Sequence, residues 1–207
     1  MASSIDYSTE TAVSTLFSAS DFTNDLHRYL GLDPALDASY QPIDVEDLLH
    51  SAIHIVEKDQ WRLILNKEVT LKIPYQAFCA RDNKIYLPYG TVSTVTSFNY
   101  IDSAGDTQPL VEGTDYTLYG TEPAFLWAEN WFDVVDLNSD EPEVATIVYT
   151  TGYSTFNSIP RGTIHALKTL CYYMFNNRGL DSVDIPMAYK HQCSQDMLNN
   201  RRALEYI

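Results

Sequence analysis

The chain changes its hydrophobic period twice, and this constrains its fold more than any other feature. Val45, Leu48, Leu49, Ala52, Ile55 and Val56 recur at helical spacing in "VEDLLHSAIHIVEKDQWRLIL", the mark of an amphipathic helix of about five turns. From Glu68 the period becomes two: "EVTLKIP" places Val69, Leu71 and Ile73 on one face of a strand. After Pro160 the helical period returns, with Ile164, Leu167, Leu170, Cys171, Met174 and Phe175 on one stripe. Each helix has a single apolar stripe that needs cover, so the two are expected to pack together, Leu167, Leu170 and Met174 against Leu48, Leu49, Ala52 or Val56. The expected fold class is α+β: a small helical bundle with an inserted antiparallel β-rich region and a helical C-terminal segment.

Local signals refine this outline. Residues 1–20 are rich in Ser, Thr and Ala without a strong pattern, and read as a flexible N-terminal arm. "SASDFTNDLHRYLGL" reads as a short helix with Phe22, Leu26, Tyr29 and Leu30 on one side, ending at Gly31. Asp44 suits the N-cap of the longer helix. Short strands are expected in "NKIYLP", "VSTVTSFNYID", "DYTLYG", "AFLWAE" and "VATIVYTT", with a turn at "SAGD". Gly179 suits a helix stop. The expected organisation is an arm over 1–20, N-terminal helices over 21–66, a β-rich region over 67–158 with an acidic surface loop at 128–143, and C-terminal helices with a docking tail over 159–207. Residues 21–207 are read as a single domain.

Charge narrows the classes of function. The net charge is −15, and residues 85–160 hold 11 acids with no Lys or Arg. Tight nucleic-acid binding rests on clustered cations that neutralise phosphates, so this composition argues against it, and against anionic membrane surfaces. Residues 161–207 are the one stretch in which bases outnumber acids. The N-terminus lacks the basic and apolar regions of a secretion signal, and no apolar run is long enough to span a membrane. Cys79, Cys171 and Cys193 are far apart and odd in number, which fits reduced thiols.

No motif argues for catalysis. "TTGYSTFNSIP", at 150–160, joins a strand to a helix start but completes neither a P-loop nor a dinucleotide fingerprint. Gly152 reads instead as a turn residue, and Pro160 as the opener of a helix. "HSAIH" sets His50 and His54 one turn apart, with Glu46 and Glu57 near the same face. Ser51 stands where a zincin needs its glutamate, so a polar helix face is the reading. No GxSxG occurs. Glu122, Glu129 and Asp133 near Trp127 and Trp131 suggest either a sugar-binding cleft or, more simply, a solvated acidic loop anchored by tryptophans. No catalytic residue, cofactor or metal is implied.

The order of the parts is informative. A helical start leads to "IYLPYGTVSTVTSFNYIDSAGDTQPLVEGTDYTLYG", then the strand "ATIVYTTGY", then "IP" opening an amphipathic helix that ends "NNRG". Over about residues 21–180 this ordered set resembles the head–tail connector (adaptor, or head-completion) family of tailed bacteriophages and gene transfer agents. The N-terminal arm, the acidic 128–143 segment and the long polar C-terminus depart from the compact pattern.

The resemblance implies a structural virion protein and not an enzyme. About twelve copies would form a ring below the portal protein, extending the DNA channel and offering a surface to neck, stopper or tail proteins. Genomic DNA would pass without tight binding, in the virion, after assembly in the host cytoplasm. It also suggests that the C-terminal segment docks on the portal. From its bases and apolar spacing, Lys190, Arg201 and Arg202 are expected to make charge-assisted contacts there and Leu204, Tyr206 and Ile207 to act as apolar anchors, the alternative being a frayed tail or a last helix packed on its own subunit. Three alternatives remain open from the sequence: a carbohydrate- or receptor-binding β-rich module, an acid–base hydrolase, and a phage stopper or tail-end protein.

Overall fold

The computed structural model describes residues 4–10, 16–17, 26, 28–31, 42–79, 83–121, 123–129, 131 and 135–177. These fall into two compact units. One comprises 4–10 and Asn66–Gly152; the other comprises the described residues between 11 and 65 and those from Tyr153 onward. The chain thus leaves the second unit after Leu65 and returns to it at Tyr153. The α+β class expected from the two changes of period is the class observed.

Among the described residues, the first unit holds eight strands in two antiparallel sheets. The larger is built from β1 (Ser4–Glu10), β2 (Lys67–Ile73), β4 (Val92–Ile101), β5 (Thr107–Leu110) and β8 (Ala145–Thr151), in the order β1-β2-β8-β4-β5. The smaller has the order β3-β7-β6, from β3 (Lys84–Leu87), β6 (Thr117–Tyr119) and β7 (Ala124–Trp127). Along β2 and β8 the buried residues alternate: Val69, Leu71 and Ile73 on one, Ala145, Ile147, Tyr149 and Thr151 on the other. Register aligns them into rows across the sheet, Leu71 beside Ile147, Ile147 beside Phe98, and Phe98 beside Leu110. A slip of one residue would turn the whole row to water, so this alignment is what specifies the pairing.

Three features here escaped the period signal. β1 lies within the expected arm yet pairs with β2 from Ser4↔Lys72 to Glu10↔Lys67. β5 contains Pro109 and sits at the sheet edge, the position where a missing backbone donor is tolerated. β4 carries register shifts between Val92 and Thr94 and between Val95 and Ser97, which set Val92, Val95 and Phe98, three residues apart, opposite Thr151, Tyr149 and Ile147 on one face of β8; Val92 and Phe98 are buried and Val95 is half-buried. A short helix, α2 (Tyr75–Cys79), follows β2. Its Phe78 meets Trp131 edge to face, and Trp131 in turn packs on Phe98.

In the second unit, α1 (Pro42–Gln60) packs on α3 (Arg161–Asn176). Leu49, Ala52, Ile53 and Val56 share one apolar cluster with Ala166, Leu167, Leu170 and Cys171, and Met174 packs against it half-buried. The Cys171 thiol lies 3.9 Å from the Leu48 carbonyl oxygen. The expected stripe-on-stripe packing is therefore present. Leu16 and Phe17, inside the expected arm, are buried in the same cluster, with Phe17 edge-on to Phe156. Leu26 and Leu30 are buried there as expected, and Gly31 takes the left-handed backbone that stops the turn.

Helix ends differ from the sequence signals. α1 begins two residues before Asp44, with Pro42 in the first position, where its missing N–H costs nothing. It stops at Gln60 without a glycine, because Trp61 itself adopts φ 52° and the Arg62 N–H returns to the Glu57 carbonyl. α3 ends at Asn176. The side-chain amides of Asn176 and Asn177 donate to the Tyr172 and Tyr173 carbonyls at 2.8 Å each. Gly179, the expected stop, lies outside the described residues.

Two stability outcomes follow. Leu170→Ala, at a fully buried site between α1 and α3, should cost about 2–5 kcal/mol in denaturant unfolding; an unresolved shift would mean that the stripe collapses around the loss. Trp61→Gly should stabilise the fold by about 1 kcal/mol and so raise the unfolding midpoint, because glycine relieves the left-handed strain. A fall would mean that the indole's contacts outweigh that strain.

Candidate interaction surfaces

The small sheet has one buried and one outward face. Side chains alternate across a strand, and Ile85, Leu87, Ala124 and Leu126 are the buried set. The register places the others in two rows: Lys84, Trp127 and Thr117, then Tyr86, Phe125 and Tyr119. The second row is a run of rings. Tyr86 and Phe125 have centroids 5.6 Å apart, and Phe125 stacks on Tyr119 at 5.7 Å with an interplanar angle of 19°. Trp127 stands edge-on to Tyr119 at 6.3 Å. The Lys84 ammonium lies 5.0 Å from the Phe125 centroid, within cation–π range. Tyr119 is 46% exposed. A contiguous, partly exposed aromatic face held rigid by cross-strand pairs is suited to contact with another macromolecule.

A second surface lies at the β4–β5 turn. The Asp102 carboxylate accepts from the backbone N–H groups of Ala104 and Asp106, at 3.0 and 2.9 Å, and from the Gln108 side-chain amide at 2.9 Å. Gly105, at φ 89°, closes the turn. The Ser103 hydroxyl donates to the Asp136 carboxylate at 2.6 Å, and the Ser103 N–H donates to the Asp136 carbonyl. The Asn138 N–H reaches the Ile101 carbonyl, and the Asn138 side chain accepts the Asp140 N–H. These bonds tie the turn to the following loop and gather Asp102, Asp106, Asp136, Asp140 and Glu141 at one place. The Gln108 amide first, then the backbone donors, hold the Asp102 carboxyl below its ordinary pKa.

The structure distributes the other singled-out residues in ways that decide several readings. Trp131 is 2% exposed, in an aromatic cluster with Phe78 and Phe98. It is an anchor of the acidic segment and not a stacking platform for sugar. Trp127 is half-buried and Glu129 exposed, whereas Glu122 and Asp133 lie outside the described residues. His50, His54 and Glu46 are exposed on α1, but Glu57 is buried and its carboxylate accepts the N–H groups of Ile64 and Leu65 at 2.8 and 3.2 Å. The four therefore do not share one solvent-facing patch. Among the described residues, no cluster of three or more His, Cys, Asp or Glu could hold a metal ion. Burial pushes the Cys171 thiol up to about 12, which leaves it unreactive at neutral pH. Lys190, Arg201, Arg202, Leu204, Tyr206 and Ile207 lie outside the described residues.

Gly152 and Tyr153, the break in "TTGY", have distinct tasks. Gly152 takes φ 105°, and its N–H donates to the Thr91 carbonyl at 3.2 Å. Tyr153 is buried, its N–H on the Ile64 carbonyl and its hydroxyl accepting from Arg62 at 3.0 Å.

No family model and no curated protein matches the chain. Solved structures do. A chain in "Neck of empty GTA particle computed with C6 symmetry" is 16% identical, with a TM-score of 0.69 over 93% of this chain and 94% of that one. One in "Neck of native GTA particle computed with C12 symmetry" is also 16% identical, with a TM-score of 0.64 over the same shares. A third, from the "Virion of native gene transfer agent (GTA) particle", is 18% identical, with a TM-score of 0.64 over 92% and 93% of the two chains. The chain shares their fold. The likeness extends over nearly the whole length of both partners.

The Asp102 turn gives a pH outcome. A carboxyl whose folded pKa is depressed stabilises the fold above its unfolded pKa, about 3.9. That contribution is lost as pH falls from there through the folded value. Asp102→Asn should therefore flatten the acid limb of the unfolding midpoint against pH. An unchanged limb would mean that the turn does not distinguish the two protonation states.

Proposed function

We propose that this protein is a structural subunit of the neck of a tailed-phage-like particle, a head–tail connector that forms a ring below the portal. The observation that carries the reading is the near full-length likeness to chains from gene transfer agent necks, two of them described with sixfold and twelvefold symmetry. The ordered sequence features, which resemble the connector family, support it independently. In this reading the protein is not an enzyme. About twelve copies surround the genome channel, and the aromatic face of β3, β7 and β6 offers a rigid patch to a protein neighbour. The surplus of acids over 85–160 keeps duplex DNA from adhering while it passes. Residues 181–207 dock on the portal, through Lys190, Arg201 and Arg202 as charged contacts and Leu204, Tyr206 and Ile207 as anchors.

The test combines particle shape with a truncation. Electron microscopy and native mass spectrometry of the full chain mixed with a portal protein should reveal a ring of about twelve copies on the portal. A chain that stays monomeric on the portal would overturn the reading. Deleting residues 199–207 should leave thermal unfolding intact and abolish portal binding. Undiminished portal binding, or collapse of the fold, would count against C-terminal docking.

A further inference from the structure

The outer face of α3 is the opposite of the protein's general character. Arg161, His165, Lys168 and Tyr172 follow one another at spacings of four, three and four, which puts them on one side of the helix. They lie opposite Ala166, Leu167, Leu170 and Cys171, the buried stripe. The helix contains no Asp or Glu. Arg161 and His165 are exposed, and Tyr172 is 48% exposed. Tyr172 meets Tyr29, itself 42% exposed, edge to face at 5.8 Å, and Arg28 beside it is exposed too. A chain of net charge −15 thus presents a cationic, aromatic helix face in one unit. In the other unit, hydrogen bonds gather Asp102, Asp106, Asp136, Asp140 and Glu141 with no base between them.

We infer that the outer face of α3, with Arg28 and Tyr29, binds the acidic 102–106 and 136–141 loops of a second copy of this chain. The inference rests on the ring reading and names the contact that joins neighbours. A cyclic ring needs two different, complementary faces on each subunit, so that one copy's first face meets the next copy's second. Charge complementarity selects this pair: the cationic helix face finds its counter-charge on the same chain type, whereas duplex DNA is repelled by the remainder of the protein. The two touching tyrosines add the apolar area that charge pairs alone lack. The 136–141 loop is held in shape before contact by Asn138 and Ser103, which lowers the ordering cost of binding.

The experiment measures self-association of the full chain without any portal, by native mass spectrometry and sedimentation from about 50 mM to about 500 mM salt. The wild type should associate at low salt and dissociate as salt rises. Arg161→Glu with His165→Glu should weaken association by about tenfold or more. Asp140→Lys with Glu141→Lys should do the same, and mixing the two variants should restore it, because each then supplies the charge that the other lost. Arg161, His165 and Asp140 are exposed and Glu141 is half-buried, and thermal unfolding of each variant checks its fold. Association that is absent in the wild type, or indifferent to both pairs of substitutions, overturns the assignment of this face. The ring on the portal would still stand or fall by its own microscopy. Labelled duplex DNA is the competing occupant: binding by the wild type that is lost in the Arg161→Glu, His165→Glu variant would also overturn the inference.

Discussion

A buried carboxylate organises the place where the chain leaves its first long helix. Glu57, 8% exposed, accepts two backbone N–H groups, from Ile64 and Leu65, and so turns the chain back along the helix end. Arg62, also buried, donates to the Tyr153 hydroxyl, and Tyr153 is bound through its backbone to Ile64 and bridged to Leu65. An ionised side chain taken out of water is tolerated only when such bonds replace its hydration. Segments 57–65 and 153, far apart in sequence, are thereby held together. Tyr153 leads directly into the turn and Pro160 that start α3, so the packing of α3 on α1 depends on where this network fixes the chain.

The same logic accounts for the "TTGY" break. A glycine is needed because the backbone there is left-handed, and a tyrosine follows because its ring is buried and its hydroxyl has a partner. The interruption of the strand is a structural junction. Nothing about it requires a ligand, and no phosphate-binding arrangement is formed. On the other side of β8, the Thr151 hydroxyl and Tyr149 phenol donate to the carbonyls of Pro88, Tyr89 and Gly90. These bonds hold a loop in which Tyr89 and Gly90 both take positive φ. Polar side chains of one central strand therefore fix a strained loop that apolar packing alone would leave free.

The surfaces have a different origin from the core. The aromatic face of the small sheet uses rings that alternate with buried aliphatic residues, so a single strand period serves both the core and an outward patch. The acidic loops and the cationic side of α3 divide the charge of the chain between its two units. In the proposed ring this division would be more consequential than any single side chain, because a closed ring is joined by unlike faces.

Periodicity alone determined the α+β class, the stripe-on-stripe packing of α1 and α3, and the buried set of β2. These depend on apolar spacing, which is a local property. Charge counts exposed the acidic middle, and motif spacing showed no catalytic signature. Tertiary structure decided what spacing cannot encode. β1 has no helical or strand signal strong enough to stand alone and becomes a strand only because β2 offers it an edge. Trp61 ends a helix where the sequence has no glycine, since Glu57 and the 64–65 backbone hold the turn. Trp131 could have lined a sugar cleft or anchored the acidic loop, and burial decides for the anchor, because Phe78 and Phe98 approach it from distant parts of the chain. Asp102 and Asp136 became neighbours through a serine hydroxyl and backbone bonds. Such contacts join residues far apart in sequence, and the free energy that selects them exists only once the sheet and the helix pair have formed.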